Sequence, residues 1–321
     1  MRAVEPRTRT RWSEVLSDTT TPVRPVPEVE LQPGDRLSDR FRLEAPLGRG
    51  SFGVIYRAWD ELLEERVAIK VLRGSADPRR LRHGNVLLGE LAHPRLVRLR
   101  ALGACRGRHY LVMSYEEGAQ DLGRLLSAEG PLPWGEAVAL TVDLLEALTY
   151  LHGRGLVQRD VKPTNVLRTQ RGAVLIDFDL VRSLRPSAAR ATTRVAGRVA
   201  GRLTGRAADR PPARPALAGT PLYMPPERLR GAPASPEGDV YSAALVLHLL
   251  GTGHLPCDRP RPPRDVEELA AARDRPLLGV EGAPPALERA LRRALAPAPA
   301  ARFASAGAFR DGLRDVAPSS A

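Results

Sequence analysis

The stretch ERVAIKVLR, residues 65–73, contains one of only two lysines in a chain of 321 residues that has 49 lysines and arginines. The other is Lys162, in QRDVKPTNVL, residues 158–167. Lysine carries a compact ammonium on a flexible stem, whereas arginine carries a planar guanidinium with fixed donors. A chain that otherwise uses arginine for its basic residues therefore marks Lys70 and Lys162 as places where the chemistry requires a point charge.

The sequence around Lys70 predicts a small antiparallel β-rich lobe. Short apolar runs separated by glycines or acidic residues occupy residues 41–50, 53–60, 65–73, 96–104 and 109–115, which favours consecutive strands, with a helix-like stretch at 78–92 between the third and the fourth. After Pro133 the periodicity becomes helical and remains so to the end. The fold class is therefore α+β, a β-rich lobe with one helix followed by a larger α-helical lobe.

The composition of the chain predicts the compartment of the protein, whether a membrane anchor is present, and which segments are disordered. Two cysteines and no apolar leader predict a cytoplasmic protein with no membrane anchor. The apolar run 240–250 is too short to span a bilayer and predicts a buried helix. Residues 1–38 predict a disordered leader and residues 317–321 a short tail.

The net charge of +12 is local, because residues 182–214 hold nine arginines and one acidic residue. From Arg190 to Arg214 an arginine recurs every four residues, and interspersed glycines oppose a stable helix. We interpret residues 183–216 as a disordered insert. It is either a flexible basic arm that binds an acidic partner or an expansion without function. Nucleic-acid binding is disfavoured, because the basic residues do not form the surface of a fold.

A glycine pattern precedes the lysine strand. GRGSFGV, residues 48–54, fits GxGxxG between two predicted strands, and we assign Val54 to the valine position of GxGxxGxV. A plain glycine hairpin explains the pattern equally well. A dinucleotide-binding fold is excluded, because a strand rather than a helix follows. Lys70 follows Gly53 by 17 residues. The glycine pattern and this spacing together predict a loop that covers phosphates, with the ammonium group of Lys70 beneath it.

The second lysine belongs to a set of polar residues that suits phosphoryl transfer. Asp160 can orient a hydroxyl and accept its proton, and Lys162 can neutralise charge on the transferred group. Asn165 and Asp177, at the end of the apolar run 174–176, supply oxygens of the kind that Mg²⁺ prefers.

Together these motifs closely resemble the protein-kinase family, specifically bacterial serine/threonine kinases of the eukaryotic (Hanks) type. The resemblance covers residues 39–316, with an N-lobe over about 39–113 and a C-lobe over about 114–316. It implies ATP- and Mg²⁺-dependent transfer of a phosphoryl group to serine or threonine hydroxyls of protein substrates. A lysine two residues after the catalytic aspartate resembles the pattern of serine/threonine kinases rather than that of tyrosine kinases.

The resemblance also assigns roles to residues. Asp160 and Lys162 are catalytic, Asn165 and Asp177 bind metal, and Thr220 in GTPLYMPPE, residues 219–227, belongs to the peptide-substrate floor. Asp239 braces the catalytic loop, and Glu227 pairs with Arg302. The nucleotide-binding residues are Leu47, Gly48, Arg49, Gly50, Ser51, Phe52, Gly53, Val54, Ala68, Lys70, Met113, Ser114, Tyr115 and Glu116.

Three departures from the family pattern affect the interpretation. The helix glutamate that pairs with the strand lysine is replaced by Gly84, the histidine of HRD by Gln158, and the glycine of DFG by Asp179. Because the groups nearest the transferred phosphoryl are all present, we favour an active kinase of reduced rate. The alternative is a pseudokinase that acts as a nucleotide-binding or interaction scaffold.

The long segment between Asp177 and Glu227 predicts regulation. Arg159, beside the catalytic aspartate, is positioned in the sequence to receive a phosphate and so to order the segment. Autophosphorylation there is our hypothesis, with four candidate phosphosites: Ser187, Thr192, Thr193 and Thr204.

Overall fold

The computed structural model describes residues 31–50, 53–73, 89–177, 181–183, 219–256, 263–275, 277 and 279–316. The first part is a six-stranded antiparallel sheet in the order β1-β2-β3-β4-β6-β5. Its strands are β1 (Arg36–Leu37), β2 (Phe41–Gly50), β3 (Gly53–Asp60), β4 (Glu65–Leu72), β5 (Leu99–Cys105) and β6 (Arg108–Ser114). The five strands predicted from the apolar runs are confirmed, and β1 was not predicted.

The two faces of β4 explain why this sequence forms a strand here. Val67, Ile69 and Val71 are buried in an apolar cluster that also contains Tyr56 and Val112. Since successive strand residues point to opposite faces, Ala68 and Lys70 lie on the other face. The β-branched residues thus bury one face of the sheet and leave the other for the site.

Helices dominate the second part, in agreement with the predicted α-helical lobe. They are α1 (Leu122–Glu129), α2 (Trp134–His152), α3 (Pro226–Leu229), α4 (Pro236–Thr252), α5 (Val266–Arg273), α6 (Pro285–Ala294) and α7 (Ala306–Arg314). In α4 every residue from Gly238 to Leu250 except Leu249 is buried, and the predicted buried helix over 240–250 is confirmed. Ser235 caps α4 by accepting a hydrogen bond from the Gly238 amide, and Gly253 ends it in the left-handed conformation.

Short strands frame the loop that carries Asp160. They are β7 (Gln120–Asp121), β8 (Leu156–Val157), β9 (Val166–Thr169), β10 (Gly172–Leu175) and β11 (Arg182–Ser183), in sheets ordered β10-β9-β7 and β11-β8. The Val97 amide donates to the Leu175 carbonyl at 2.9 Å, which joins the segment before β5 to the helical lobe. The two lobes therefore meet beside the site.

Within the described ranges, no helix has both the length and the apolar character needed to cross a membrane. Residues 1–30, 51–52, 74–88, 178–180, 184–218, 257–262, 276, 278 and 317–321 lie outside the described residues. The predictions for most of the leader and of the arginine-rich insert, for most of the helix-like stretch at 78–92, and for the tail fall there.

Candidate active site

Asp160 is the centre of a compact hydrogen-bond network. Its Oδ1 accepts from the Thr220 amide at 2.9 Å, and its Oδ2 accepts from Lys162 Nζ at 2.6 Å and from Asn165 Nδ2 at 3.2 Å. Asn165 Nδ2 also donates to the Asp160 carbonyl at 2.9 Å. Because two donors come from the same loop and the third, the Thr220 amide, lies 60 residues away in the chain, both carboxylate oxygens are held and the carboxylate has a fixed orientation.

Thr220 and Gly219 bring the predicted substrate floor onto this loop. Lys162 Nζ donates to Thr220 Oγ1 at 2.9 Å. Gly219 has φ of 118°, and a Cβ there would lie 3.1 Å from the Arg159 carbonyl oxygen. The left-handed conformation and the close approach both favour glycine at this position.

Asp239, at the start of α4, fixes the loop from below. It is 2% exposed, and its carboxylate accepts hydrogen bonds from the Gln158 and Arg159 amides, both at 2.9 Å. His152 Nε2 lies 2.8 Å from the same carboxylate. Arg159 has φ of 73°, a conformation that L-residues rarely adopt. The buried carboxylate therefore holds a strained turn just before Asp160, and His152 is a contact that the sequence did not indicate.

Lys70 and Asp177 meet between the lobes. Lys70 is 7% exposed, and its Nζ lies 3.3 Å from Asp177 Oδ1. Gln158, 1% exposed, donates from Nε2 to the Asp177 carbonyl. The amide at the HRD histidine position thus holds the backbone of Asp177, the aspartate predicted to bind metal.

The glycines of the pattern lie at the facing ends of two strands, Gly48 and Gly50 at the end of β2 and Gly53 at the start of β3. A Cβ on Gly53 would come 2.2 Å from the Val71 carbonyl oxygen, whereas one on Gly48 would meet nothing within 4 Å and one on Gly50 only an atom at 4.0 Å. Packing of the sheet therefore requires a glycine at position 53. The open space beside Gly48 and Gly50 is what close approach of a phosphate to the backbone needs.

Two residues assigned to nucleotide binding lie on the wrong face of the sheet. Directly paired residues share a face, and Ile55 pairs with Lys70, whereas Val54 pairs with Val71 and Arg49 pairs with Val54. Val54 and Arg49 therefore face away from Lys70. The valine position of the pattern is Ile55, two residues after the last glycine. A strict count of the spacing would have found it.

The predicted hinge begins with the last two residues of β6, Met113 and Ser114, and continues through Tyr115 and Glu116. Met113 is 9% exposed, pairs with Ala68, and packs with Val97 and Val174. These residues form an apolar floor on the Lys70 side of the sheet.

The polar hinge residues contact both lobes. Ser114 Oγ accepts from the Arg98 amide at 3.2 Å. Arg57 hydrogen-bonds Tyr115, and that bond is the main cause that raises the pKa of Arg57. Glu116 accepts two hydrogen bonds from Arg171 Nη2 at 3.1 and 2.9 Å. The ion pair between Arg171 and Glu116 was not predicted from sequence.

Glu227 and Arg302 form the ion pair that the resemblance implied. Arg302 Nη1 and Nη2 donate to the two Glu227 oxygens at 2.8 Å each, and the Arg302 side chain is 0% exposed. Arg302 also donates to the Ala296, Pro297 and Glu237 carbonyls. The pair anchors the end of the 219–227 segment to the helical lobe.

The remaining sequence-predicted residues cannot be placed. Ser51, Phe52, Gly84, Asp179 and the four candidate phosphosites Ser187, Thr192, Thr193 and Thr204 lie outside the described residues. Their assignments stay predictions.

The site residues fit a hydrated magnesium ion bound together with phosphates. Mg²⁺ usually keeps several waters and takes one or two carboxylates plus substrate phosphates. Asp177 supplies one carboxylate, and Asn165, bound through Nδ2 to Asp160, has a side-chain oxygen of the same hard type. In the described part of the chain, no group of three or more His, Cys, Asp and Glu side chains could hold a metal. A site for this ion does not require such a group.

A curled sheet above a helical lobe, with Lys70, Asp160, Asn165 and Asp177 gathered between them, defines the class of bilobal kinase folds. The chain belongs to the protein kinase family: the model of the protein kinase domain matches residues 41–277. The predicted family resemblance and fold class are thereby confirmed.

Relatives of the chain are bacterial serine/threonine-protein kinases. PknK of Mycobacterium tuberculosis is 32% identical over 292 residues, 88% of this chain and 24% of that protein. Pkn2 of Myxococcus xanthus is 33% identical over 264 residues, 79% of this chain and 29% of that protein. PksC of Streptomyces coelicolor is 36% identical over 297 residues, 87% of this chain and 49% of that protein. The chain thus spans between a quarter and a half of the length of these relatives.

Proposed function

We propose that this chain transfers the terminal phosphoryl group of ATP, with Mg²⁺, to serine or threonine hydroxyls of proteins. The observation that carries the proposal is the convergence of two pairs, Lys70 with Asp177 at 3.3 Å and Lys162 with Asp160 at 2.6 Å. The names of the relatives, each a serine/threonine-protein kinase, support the substrate class.

The residues divide the work of phosphoryl transfer. Asp160, held by Thr220, Lys162 and Asn165, orients the substrate hydroxyl and accepts its proton. Lys162 also contacts Thr220, so its charge lies between the base and the substrate floor, where it neutralises the phosphoryl oxygens. Lys70 holds the nucleotide phosphates. Magnesium, when bound, neutralises charge on the phosphate oxygens, and Asn165 and Asp177 would hold it.

The pseudokinase alternative receives no support from these relatives. Of the three replacements that favoured this alternative, Gln158 lies among the described residues. It donates a hydrogen bond to the Asp177 backbone. Positioning and charge supply most of the rate enhancement of phosphoryl transfer, and the described residues include both.

A phosphotransfer assay tests the proposal. Labelled ATP, Mg²⁺ and a generic serine/threonine substrate are incubated with the wild-type chain and with Asp160→Asn, which keeps the side-chain size but removes the charge of the base. We expect the rate to fall by about 10² to 10⁴. Asp311→Asn, at an aspartate that is 61% exposed in α7, serves as the matched control and keeps the wild-type rate. No labelled product from the wild-type chain, or equal rates for wild type and Asp160→Asn, would contradict the proposal.

We further propose autophosphorylation within the segment between Asp177 and Glu227. Arg159, whose backbone is held by Asp239, lies next to the base and can pair with a phosphate. Mass-spectrometric mapping after incubation with ATP should find phosphate on Ser187, Thr192, Thr193 or Thr204 in the wild-type chain but not in Asp160→Asn. Absence of phosphate from the whole segment in an active preparation would refute this.

A further inference from the structure

Arg124, in the helical lobe, makes a hydrogen bond to β2, the glycine-bearing strand that carries Gly48 and Gly50. Its Nη2 donates to the Leu47 carbonyl oxygen at 2.8 Å. Arg124 lies in the first turn of α1, and Leu47 is the residue directly before Gly48. The two residues are 77 apart in the chain, so the bond joins elements that sequence proximity does not connect.

The Leu47 carbonyl is available because the strand is irregular there. The register of β2 against β3 shifts between Pro46 and Gly48, so Leu47 has no direct partner across the pair. Such a bulge interrupts the ladder and leaves a residue unpaired. The carbonyl therefore accepts a donor from the opposite lobe.

Asp121 holds the arginine in place for this bond. Its Oδ1 caps α1 by accepting from the Arg124 amide at 2.9 Å, and its Oδ2 lies 3.3 Å from Arg124 Nε. One end of the guanidinium thus contacts the helix cap, and the other end contacts the glycine-bearing strand. An ammonium group could not make both contacts with this fixed geometry.

The first turn of α1 is in turn docked on the catalytic loop. A Cβ on Gly123 would lie 3.0 Å from Thr164 Cγ2, so the absence of a side chain lets the helix approach that loop closely. Thr164 is adjacent to Asn165. The chain of contacts runs from Leu47 through Arg124 to the first turn of α1, and from Gly123 in that turn to Thr164 in the loop that carries Asp160.

We propose that Arg124 is a positioning residue that latches the glycine-bearing strand over the bound nucleotide and so slows nucleotide release. This inference deepens the proposed function and rests on it, since it requires that a nucleotide occupies the space beneath Gly48 and Gly50. Separation of the lobes must break the bond between Arg124 and Leu47 before the nucleotide leaves. Because the arginine is 64% exposed, its contribution is moderate.

Release of a fluorescent ATP analogue, followed by stopped flow with excess unlabelled ATP, tests the latch. We expect Arg124→Gln to increase the dissociation rate constant by about 3- to 10-fold, the range for loss of one hydrogen bond from a charged donor near solvent. Arg124→Lys should recover part of the effect, because an ammonium can still donate to the carbonyl. Arg292→Gln, which removes an ion pair between residues four apart in α6, is the matched control and should keep the wild-type rate.

Steady-state kinetics separate a latch from a purely structural role. In Arg124→Gln the KM for ATP should rise while kcat does not fall, whereas damage to the fold would lower kcat and the unfolding temperature together. A dissociation rate constant for Arg124→Gln within twofold of wild type would overturn the latch. If Arg124→Gln does not fold, the same criterion applies to Arg124→Ala, which also removes the donor to the Leu47 carbonyl. Failure of the wild-type chain to bind the analogue would instead count against the proposed function.

Discussion

The buried side-chain amide of Gln158 takes the position where the family pattern has a histidine. Its hydrogen bonds show how the site accommodates this replacement. Gln158 donates to the Asp177 carbonyl through Nε2, while its own backbone amide donates to Asp239. One residue therefore ties Asp177, the proposed metal ligand, to Asp239, which holds the loop before Asp160. An amide has no charge to gain or lose near neutral pH, so this tie is independent of protonation.

Truncation of this residue should affect both activity and stability. In Gln158→Ala the hydrogen bond from Nε2 to the partly buried Asp177 carbonyl is lost, and the free energy of unfolding should fall by about 1 to 3 kcal/mol. We expect kcat to fall with it, because Asp177 is less well held. Gln158→His should keep most of the activity, since an imidazole nitrogen can donate to the same carbonyl. Urea unfolding and phosphotransfer rates check both variants, and wild-type values for Gln158→Ala would show that the hydrogen bond has no function.

At the scale of the element, the strand pair β2–β3 assigns its glycines to different tasks. Gly53 packs against the backbone of β4, whereas a Cβ added to Gly48 would meet nothing within 4 Å. The sequence pattern groups these glycines in one motif. The structure separates a glycine required by folding from glycines beside the proposed phosphate site.

Two alanine substitutions test this division. Gly53→Ala would place a methyl group 2.2 Å from the Val71 carbonyl oxygen, and since backbone cannot move aside cheaply, we expect a loss of about 1 to 3 kcal/mol in unfolding free energy. Gly48→Ala meets nothing within 4 Å, so its stability should stay within about 0.5 kcal/mol of wild type while its KM for ATP rises. Urea unfolding and ATP titration of the rate provide the readouts. Equal stability of the two variants would contradict the assignment.

Helix α4 contains a buried histidine that makes stability depend on pH. Burial, with smaller contributions from His254 and Arg273, lowers the pKa of His248 from 6.5 to about 4, although a hydrogen bond to the His254 carbonyl opposes the shift. Between these values the unfolded chain binds a proton that the folded chain does not. Stability from this group is therefore complete above pH 6.5 and is lost as the pH falls towards 4, by about 3 kcal/mol in total.

Urea unfolding at several pH values between 4 and 7 measures this contribution. His248→Gln has no proton to bind, so its free energy of unfolding should depend less steeply on pH than that of the wild type over this range. The variant should also be less stable at pH 7, because the buried site is shaped for imidazole. If the wild type and His248→Gln showed the same pH dependence, His248 would have to be protonated equally in the folded and unfolded states.

For the whole molecule, the sequence predicted the order of the elements better than the contacts between them. Alternating apolar residues predicted the five main strands, and residue spacing with the family resemblance identified Lys70, Asp160, Lys162, Asn165 and Asp177. The face of a strand was harder to predict, because a shift of one residue moves a side chain to the other face, as the exchange of Val54 for Ile55 shows.

Contacts between distant segments escaped prediction for a different reason. The bond from Arg124 to Leu47 and the ion pair of Arg171 with Glu116 depend on how the lobes pack. No local pattern distinguishes these arginines from the many others in the chain. Arg302 was identified only because the family resemblance supplied its partner.

The ion pair of Arg302 with Glu227 is expected to stabilise the molecule far more than its surface counterparts. Removal of one member of a buried pair leaves the other charge without compensation, so Arg302→Met should lower the unfolding free energy by about 3 to 5 kcal/mol. Arg292→Met removes a pair with Glu288 in which the arginine is 46% exposed, and about 0 to 1 kcal/mol is expected there. Urea unfolding at pH 7 compares the two variants.

The double variant Glu227→Gln with Arg302→Met should recover part of the loss, since it buries no unpaired carboxylate. A loss in Arg302→Met no larger than in Arg292→Met would show that the pair is dispensable for joining the 219–227 segment to the helical lobe.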